Sequence, residues 1–277
     1  MKGKVAVVTG ASSGIGEATA ERLAAAGYRV FGTSRRTAAA GQRSFEMLTL
    51  DVTSDRSVDV AVREVIQRGG RIDVLVNNAG FGVGLAGDEE SSVAQAQAIS
   101  DTNFFGTVRM TRAVVPHMRR QAAGRIINIG SGLGFVPMPY MAVYSASKHA
   151  IEGYSESLDH ELRTRGIRVV IVEPGFTKTP FDAKLLEPDS KIEEYQETRA
   201  ALNKRYQEVT AAGDQPGAVA DVVLKAATAA RPKLRYPVGR VATFQLLRRF
   251  APALVDAGIR RSLRLDAPPA APNGPTS

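Results

Sequence analysis

The chain has 277 residues, 44% of them hydrophobic and 23% charged, and it contains no cysteine. That composition suits one soluble globular α/β domain and excludes disulfides, thiolate metal sites and a cysteine nucleophile. The formal net charge of +8 is carried by nine Lys or Arg between Arg231 and Arg264, set against Asp256 alone, so it is a C-terminal feature rather than the spread basic patch of a nucleic-acid binder, and no nucleic-acid partner is expected.

The N-terminus, MKGKVAVVTG, passes from two lysines straight into an apolar strand, without the 7 to 15 apolar residues of a signal peptide. No run approaches the ~18 apolar residues of a membrane span, so a cytoplasmic protein with no stable membrane insertion is expected. Strands are predicted at 4–9, 28–34, 45–50, 72–76, 125–130 and 167–172, with helices near 15–26, 54–68, 92–121 and 142–165. Continuous apolar strands separated by helices predict a doubly wound, Rossmann-type parallel sheet with helices on both faces, and ligands at the strand carboxyl ends. The domain should span 1–265, with a Pro-broken, charged lid over about 176–212, a helical extension over about 240–265, and a disordered Pro/Ala-rich tail at 266–277.

Between the first strand and helix, TGASSGIG (9–16) places glycines at 10, 14 and 16. Glycine permits a tight turn and the approach of backbone to a pyrophosphate on the helix N-terminus, although the spacing departs from G-x-G-x-x-G and a ligand-free turn is the alternative reading. After the second strand, where an acid would accept hydrogen bonds from a free ribose 2′-hydroxyl, the sequence reads TSRR. Arg35 and Arg36 suit a 2′-phosphate instead, which points to NADP. Further on, YSASK places Tyr144 four residues before Lys148, on one face of a helix. His117, His149 and His160 are scattered, and no metal site is expected.

These motifs, with NNAG (77–80), NFFG (103–106), IINIGS ending at Ser131 and PGFTKT (174–179), follow in an order that resembles the short-chain dehydrogenase/reductase family over roughly residues 4–239. The resemblance implies a catalytic set of Asn103, Ser131, Tyr144 and Lys148. Tyr144 would be the acid, Ser131 would hold the substrate oxygen, Lys148 would hold the nicotinamide ribose, and Asn103 would fix a water leading from Lys148 to solvent. A lysine ammonium ~4 Å from the phenol contributes about 4 kcal/mol at an effective dielectric of ~20, enough to draw the tyrosine pKa towards neutrality. The resemblance also implies cofactor contacts from Gly10, Ser12, Ser13, Gly14, Ile15 and Gly16 in the first turn. Asp51 and Val52 would bracket the adenine, Asn77, Ala79 and Gly80 would line the adenosine and the central strand, and Pro174, Gly175, Thr177 and Thr179 would meet the carboxamide and phosphates.

The expected activity is NADP(H)-dependent interconversion of a ketone or aldehyde and an alcohol on an apolar substrate, with members acting on hydroxysteroids and retinol nearest in look. A cofactor-sensing regulator and an epimerase or dehydratase are the alternatives, and a homodimer or homotetramer is expected. Phe81, Val83, Leu133, Phe135, Met138, Met141, Phe176 and Phe181 are the candidate walls of the substrate pocket. In the basic C-terminal stretch, VATFQLLRRFAPAL (241–254) sets Phe244, Leu247 and Ala251 on one stripe with Phe250 beside it, and Pro252 should break the helix. Packing of this helix near the substrate mouth or at a subunit interface is expected in preference to a membrane anchor.

Overall fold

The computed structural model describes residues 3–36, 43–181 and 185–263. Seven parallel strands form one sheet: β1 (Val5–Val8), β2 (Arg29–Ser34), β3 (Glu46–Thr49), β4 (Val74–Asn77), β5 (Gly124–Ile129), β6 (Ile167–Glu173) and β7 (Arg235–Pro237). Their order is β3-β2-β1-β4-β5-β6-β7. The chain therefore winds outward from β1 in one direction, returns, and continues from β4 in the other, so the carboxyl ends of β1 and β4 lie side by side at the reversal. Such a switch point leaves a crevice between diverging loops. β7 is the strand that periodicity missed, because three residues containing a proline at the sheet edge carry no alternation to read.

Helices cover both faces, as the continuous apolar strands require. On one side lie α1 (Gly14–Ala25) and α7 (Pro216–Thr228), whose Ala20, Leu23, Val219 and Val223 pack against Val8, Val76 and Val172. On the other lie α2 (Asp55–Gly69), α4 (Gly106–Arg120) and α5 (Ala142–Leu162), with Val58, Val62, Met110 and Val114 packed on Val7, Leu75 and Ile126. α2 begins where the Ser54 hydroxyl accepts from the Ser57 N–H and ends at Gly70 in the left-handed region, φ 74°, a stop that glycine adopts without steric cost.

The helix expected over 92–121 is interrupted. α3 (Val93–Ser100) runs into one π-helical turn, Asp101–Phe105, before α4 begins. The Pro-broken segment after β6 rises over the strand ends and contains α6 (Gln196–Ala211). It docks through the Gly84 N–H to Leu186 and the Leu186 N–H to Gly82, both 2.9 Å, and through an ion pair from Arg199 to the fully buried Glu90. At the C-terminus α8 (Val241–Phe250) and α9 (Pro252–Ser262) form a hairpin broken at Ala251, with Pro252 opening the second helix. The tail expected to be disordered, 266–277, lies outside the described residues. No described helix is long and apolar enough to cross a membrane.

Far from the crevice, Asp159 near the end of α5 is 1% exposed. Its carboxylate accepts from Arg168 at 2.8 Å, from Arg163 at 2.5 Å and from the Val169 N–H at 3.0 Å. Burial pushes the carboxyl up, but the two guanidinium groups and the backbone N–H outweigh it and hold its pKa down to about 2. A carboxylate with a folded pKa below its unfolded one stabilises above the unfolded pKa and loses that contribution as pH falls through the folded one. The stability gap between wild type and Asp159→Asn is therefore expected to be about 2 kcal/mol at neutral pH and to fall to about half of that at pH 3. Urea midpoints at the two pH values measure it; a gap independent of pH would show that the charge of Asp159 contributes nothing.

Candidate active site

A continuous cavity of about 1190 Å³ follows the carboxyl edge of the sheet, from Arg35 after β2, across the Gly10–Ile15 turn, to Tyr144 and Lys148, and out between α6 and the α8–α9 hairpin. Its first half is shaped by glycine. Gly10 (φ +67°) and Gly14 (φ +62°) occupy the left-handed region, and a Cβ on Gly10 would stand 3.0 Å from the Ala79 Cα. A Cβ on Gly16 would stand 2.3 Å from the Gly10 carbonyl oxygen, so Gly16 does not border the cavity but lets α1 seat against the turn. Thr9, 1% exposed, joins the two strands of the switch point: its hydroxyl accepts from the Asn78 and Ala79 N–H groups at 2.9 and 3.0 Å. The Asn78 amide donates to the Thr9 and Gly10 carbonyls at 2.9 and 3.2 Å. The result is a backbone concavity at the N-terminus of α1, a site suited to anionic phosphate.

Most of the residues singled out from the sequence border this cavity. Ser12, Ser13, Ile15, Arg35, Asp51 and Val52 lie along its first part, Ala79 and Gly80 at its middle, and Pro174, Gly175, Thr177 and Thr179 across from the glycine turn. The Asp51 carboxylate is oriented by the Thr53 N–H and hydroxyl at 3.0 and 2.8 Å. Besides Gly16 and Asn103, two residues lie elsewhere. Asn77 is 5% exposed and donates to Asn128 at 2.9 Å and Thr111 at 3.3 Å, so it ties β4 to β5 and α4 rather than lining the adenosine. Arg36 is exposed and does not border the cavity. Arg43 was not foreseen; it reaches the Ser12 carbonyl at 3.4 Å and pairs with Glu17 at 3.1 Å.

The second half is chemical. Ser131, 8% exposed, stands at the end of β5, where its hydroxyl accepts from the Leu133 N–H at 3.1 Å and hydrogen-bonds Tyr144. Tyr144 and Lys148 project from the first turns of α5, with the ammonium 5.7 Å from the tyrosine ring centroid. The Lys148 ammonium, however, donates to the Ile129 carbonyl at 2.9 Å. Its pKa is brought down to about 8 by burial, against which the charge of Glu152 works. The expectation of a near-neutral Tyr144 is corrected here. Burial pushes the phenol pKa up, and the Ser131 hydrogen bond offsets only part of this. Tyr144 is thus a phenol at neutral pH, a group able to give a proton.

Asn103 occupies the π turn and is 2% exposed. Its side-chain oxygen accepts from the Phe81 N–H at 3.0 Å, and its amide donates to the Phe81 carbonyl at 2.9 Å and to Ser147 at 3.1 Å. Ser147 in turn donates to the Tyr144 carbonyl at 2.8 Å. Asn103 therefore braces the loop after β4 against the start of α5 and does not border the cavity.

Behind Lys148 lies a cluster that no motif announced. Glu152 and Glu173 are buried and share Arg235, which also reaches Glu156 at 2.6 Å, while Gln245 of α8 donates to Glu173 at 2.7 Å. Burial and the neighbouring Glu173 push Glu152 up to about 8, against the pull of Arg235. Scattered through α5, β6, β7 and α8, these residues have no spacing that a linear reading could detect.

Beyond Tyr144 the walls are apolar. Phe81, Leu133, Phe135, Met138, Met141, Phe176 and Phe181 line the cavity as expected, joined by Leu186, Tyr206, Val209, Phe244 and Ile259, whereas Val83 faces a separate small pocket. Among the described residues no group of three or more His, Asp or Glu side chains could hold a metal ion.

A family model described as short chain dehydrogenase matches residues 4–190. The chain is 39% identical to a 3-ketodihydrosphingosine reductase of Bacteroides thetaiotaomicron, over 86% of this chain and 89% of that one. It is 39% identical to retinol dehydrogenase 8 of Bos taurus, over 84% and 80% of the respective lengths. In structure it is similar to a short-chain dehydrogenase from Streptomyces avermitilis, with TM-score 0.78, 34% identity and coverage of 96% and 98%. It is also similar to a metagenomic short-chain oxidoreductase in complex with NADP (TM-score 0.68, 30% identity, coverage 86% and 97%). A 3-ketoacyl-(acyl-carrier-protein) reductase from Brucella melitensis, complexed with NADH, aligns with TM-score 0.73 at 26% identity, covering 85% and 96%.

Proposed function

The chain belongs to the short chain dehydrogenase family, and from that membership we propose an NADP(H)-dependent oxidoreductase that interconverts a ketone or aldehyde and its alcohol on an apolar substrate. The observation that carries this reading is the continuity of one cavity from a glycine-lined anion cradle, through a paired Ser131 and Tyr144, into walls of aromatic and aliphatic side chains.

The residues present fit a dinucleotide: a Cβ at Gly10 or Gly14 would crowd Ala79 or Thr179, and Arg35 stands at the far end, where a 2′-phosphate would lie. Bound there, a reduced nicotinamide supplies hydride to a carbonyl carbon. Negative charge then builds on the carbonyl oxygen, and this chain's part is to receive it. Ser131 donates a hydrogen bond to that oxygen, and the neutral Tyr144 phenol releases its proton to it. Lys148, held by Ile129, places a positive charge beside the phenolate that results and favours its formation. Asn103 and Ser147 act at one remove, keeping the start of α5 and the loop after β4 in register. The apolar walls exclude water and suit a lipid-, steroid- or retinoid-like body better than a small charged metabolite. The reading carries with it a cytoplasmic location and assembly as a homodimer or homotetramer.

The test is NADPH oxidation by the purified protein against steroid, retinoid, aliphatic and aryl ketones. We expect turnover with at least one long apolar ketone and weaker turnover with short charged ones. Tight NADPH binding without oxidation of any carbonyl would favour the cofactor-sensing alternative, and conversion without net oxidation would favour an epimerase or dehydratase.

A further inference from the structure

The hairpin of α8 and α9 turns the wrong side to the protein. On α8 the side chains facing inward are Val241, 5% exposed, and Gln245, bonded to Glu173. The apolar arc faces out: Leu246 is 60% exposed, Leu247 41% and Phe250 76%. α9 repeats the arrangement, with Val255 buried and Leu254 70% exposed. Phe244 belongs to the same arc, so five of the nine large hydrophobic side chains exposed among the described residues lie on this hairpin. A cluster of that kind on a soluble chain marks a surface that meets something apolar.

Charge selects the partner. From 240 to 263 the sequence holds Arg240, Arg248, Arg249, Arg260 and Arg261 against Asp256 alone, and Asp256 is paired at 2.8 Å with Arg248. Arg249 lies with its guanidinium 5.8 Å from the Phe250 ring centroid, and Arg261 follows Leu254 by seven positions, two helical turns, which sets both on one face. Exposed apolar side chains rimmed by arginine, on helices too short to span a membrane, match the interfacial pattern in which the apolar groups enter the acyl boundary and the guanidinium groups meet lipid phosphates.

We propose that the outward face of the α8–α9 hairpin docks on an anionic phospholipid bilayer. Phe244 and Ile259 of the same hairpin line the cavity, so docking sets the cavity mouth at the lipid surface. That consequence for substrate entry rests on the proposed reduction of an apolar substrate; the docking itself does not.

The test is co-sedimentation of the full-length protein with phosphatidylcholine vesicles containing about 30% phosphatidylserine, and with phosphatidylcholine alone, from about 0.05 to 0.5 M salt. Capture by the anionic vesicles that weakens with salt is expected. Each basic residue at such a surface is worth roughly fivefold in partitioning, so Arg249→Glu with Arg261→Glu should lower it at least about tenfold. Phe250→Ser with Leu254→Ser should lower it by at least about as much, with NADPH affinity and the thermal midpoint kept by both pairs. Absence of capture at the lowest salt, or capture that both pairs of substitutions leave intact, overturns the proposal. So does self-association that Phe250→Ser with Leu254→Ser abolishes in the absence of capture, which assigns the face to a second copy, or capture that appears only after removal of residues 264–277, which assigns it to that segment. Because pelleting is read without turnover, its failure leaves the reductase reading standing, and a chain that reduces no ketone can still pellet.

Discussion

Replacing Tyr144 by phenylalanine is expected to lower turnover at least about a hundredfold, the usual contribution of a positioned acid, while NADPH binds as it does to wild type. The substitution removes only a hydroxyl. The ring stays in its edge contact with Phe181, whose centroid lies 5.8 Å away, so the walls of the cavity should be preserved. What is lost is the phenol proton beside Ser131. Because burial holds the phenol pKa up, Tyr144 is fully protonated through the physiological range, and its removal should depress ketone reduction equally at pH 6 and pH 8. Single-turnover kinetics with NADPH and the best substrate of the screen measure the effect; near-normal turnover would remove Tyr144 from the acid role.

The second large effect concerns the cofactor. Arg35→Ala combined with Arg36→Ala should weaken NADPH by about 10- to 150-fold and NADH far less, since one charge-assisted contact to a 2′-phosphate is worth roughly 1.5 to 3 kcal/mol. The structure divides this between the two positions. Arg35 borders the cavity and Arg36 does not, so Arg35→Ala alone should carry most of the loss. Kinetics with both cofactors decide it. Equal losses for NADPH and NADH would mean that the arginines do not read the phosphate and that preference lies elsewhere, Arg43 above Ser12 being the next basic side chain along the turn.

Much of this site was legible in the sequence because its parts are local. A strand followed by a glycine turn and a helix, or a tyrosine and a lysine one helical turn apart, is complete within a dozen residues, and backbone geometry alone sets the side chains on one edge. The residues misjudged or missed are those whose role depends on a neighbour distant in the chain. Asn77 faces Asn128 and Thr111 across β4, β5 and α4. Thr9 serves β4 from β1. The Glu152, Glu173 and Arg235 cluster draws on three elements, and its existence could be seen only once β6 and β7 were placed beside α5.

The sequence by itself determined the doubly wound sheet, the cavity along its carboxyl edge and the meeting of Tyr144 with Lys148, because hydrophobic periodicity and turn chemistry act over short stretches of chain. Tertiary structure decided the rest. Tyr144 is a high-pKa acid rather than a near-neutral one because desolvation depends on everything packed around the phenol, and because Lys148 had a carbonyl of β5 within reach. The apolar stripe of α8 faces outward because the buried Glu173 at the end of β6 claims Gln245, and a helix with one polar anchor on the protein must turn its opposite side away. A hydrophobic pattern states that a helix has an apolar side; which side the protein covers is settled by what the other elements offer it.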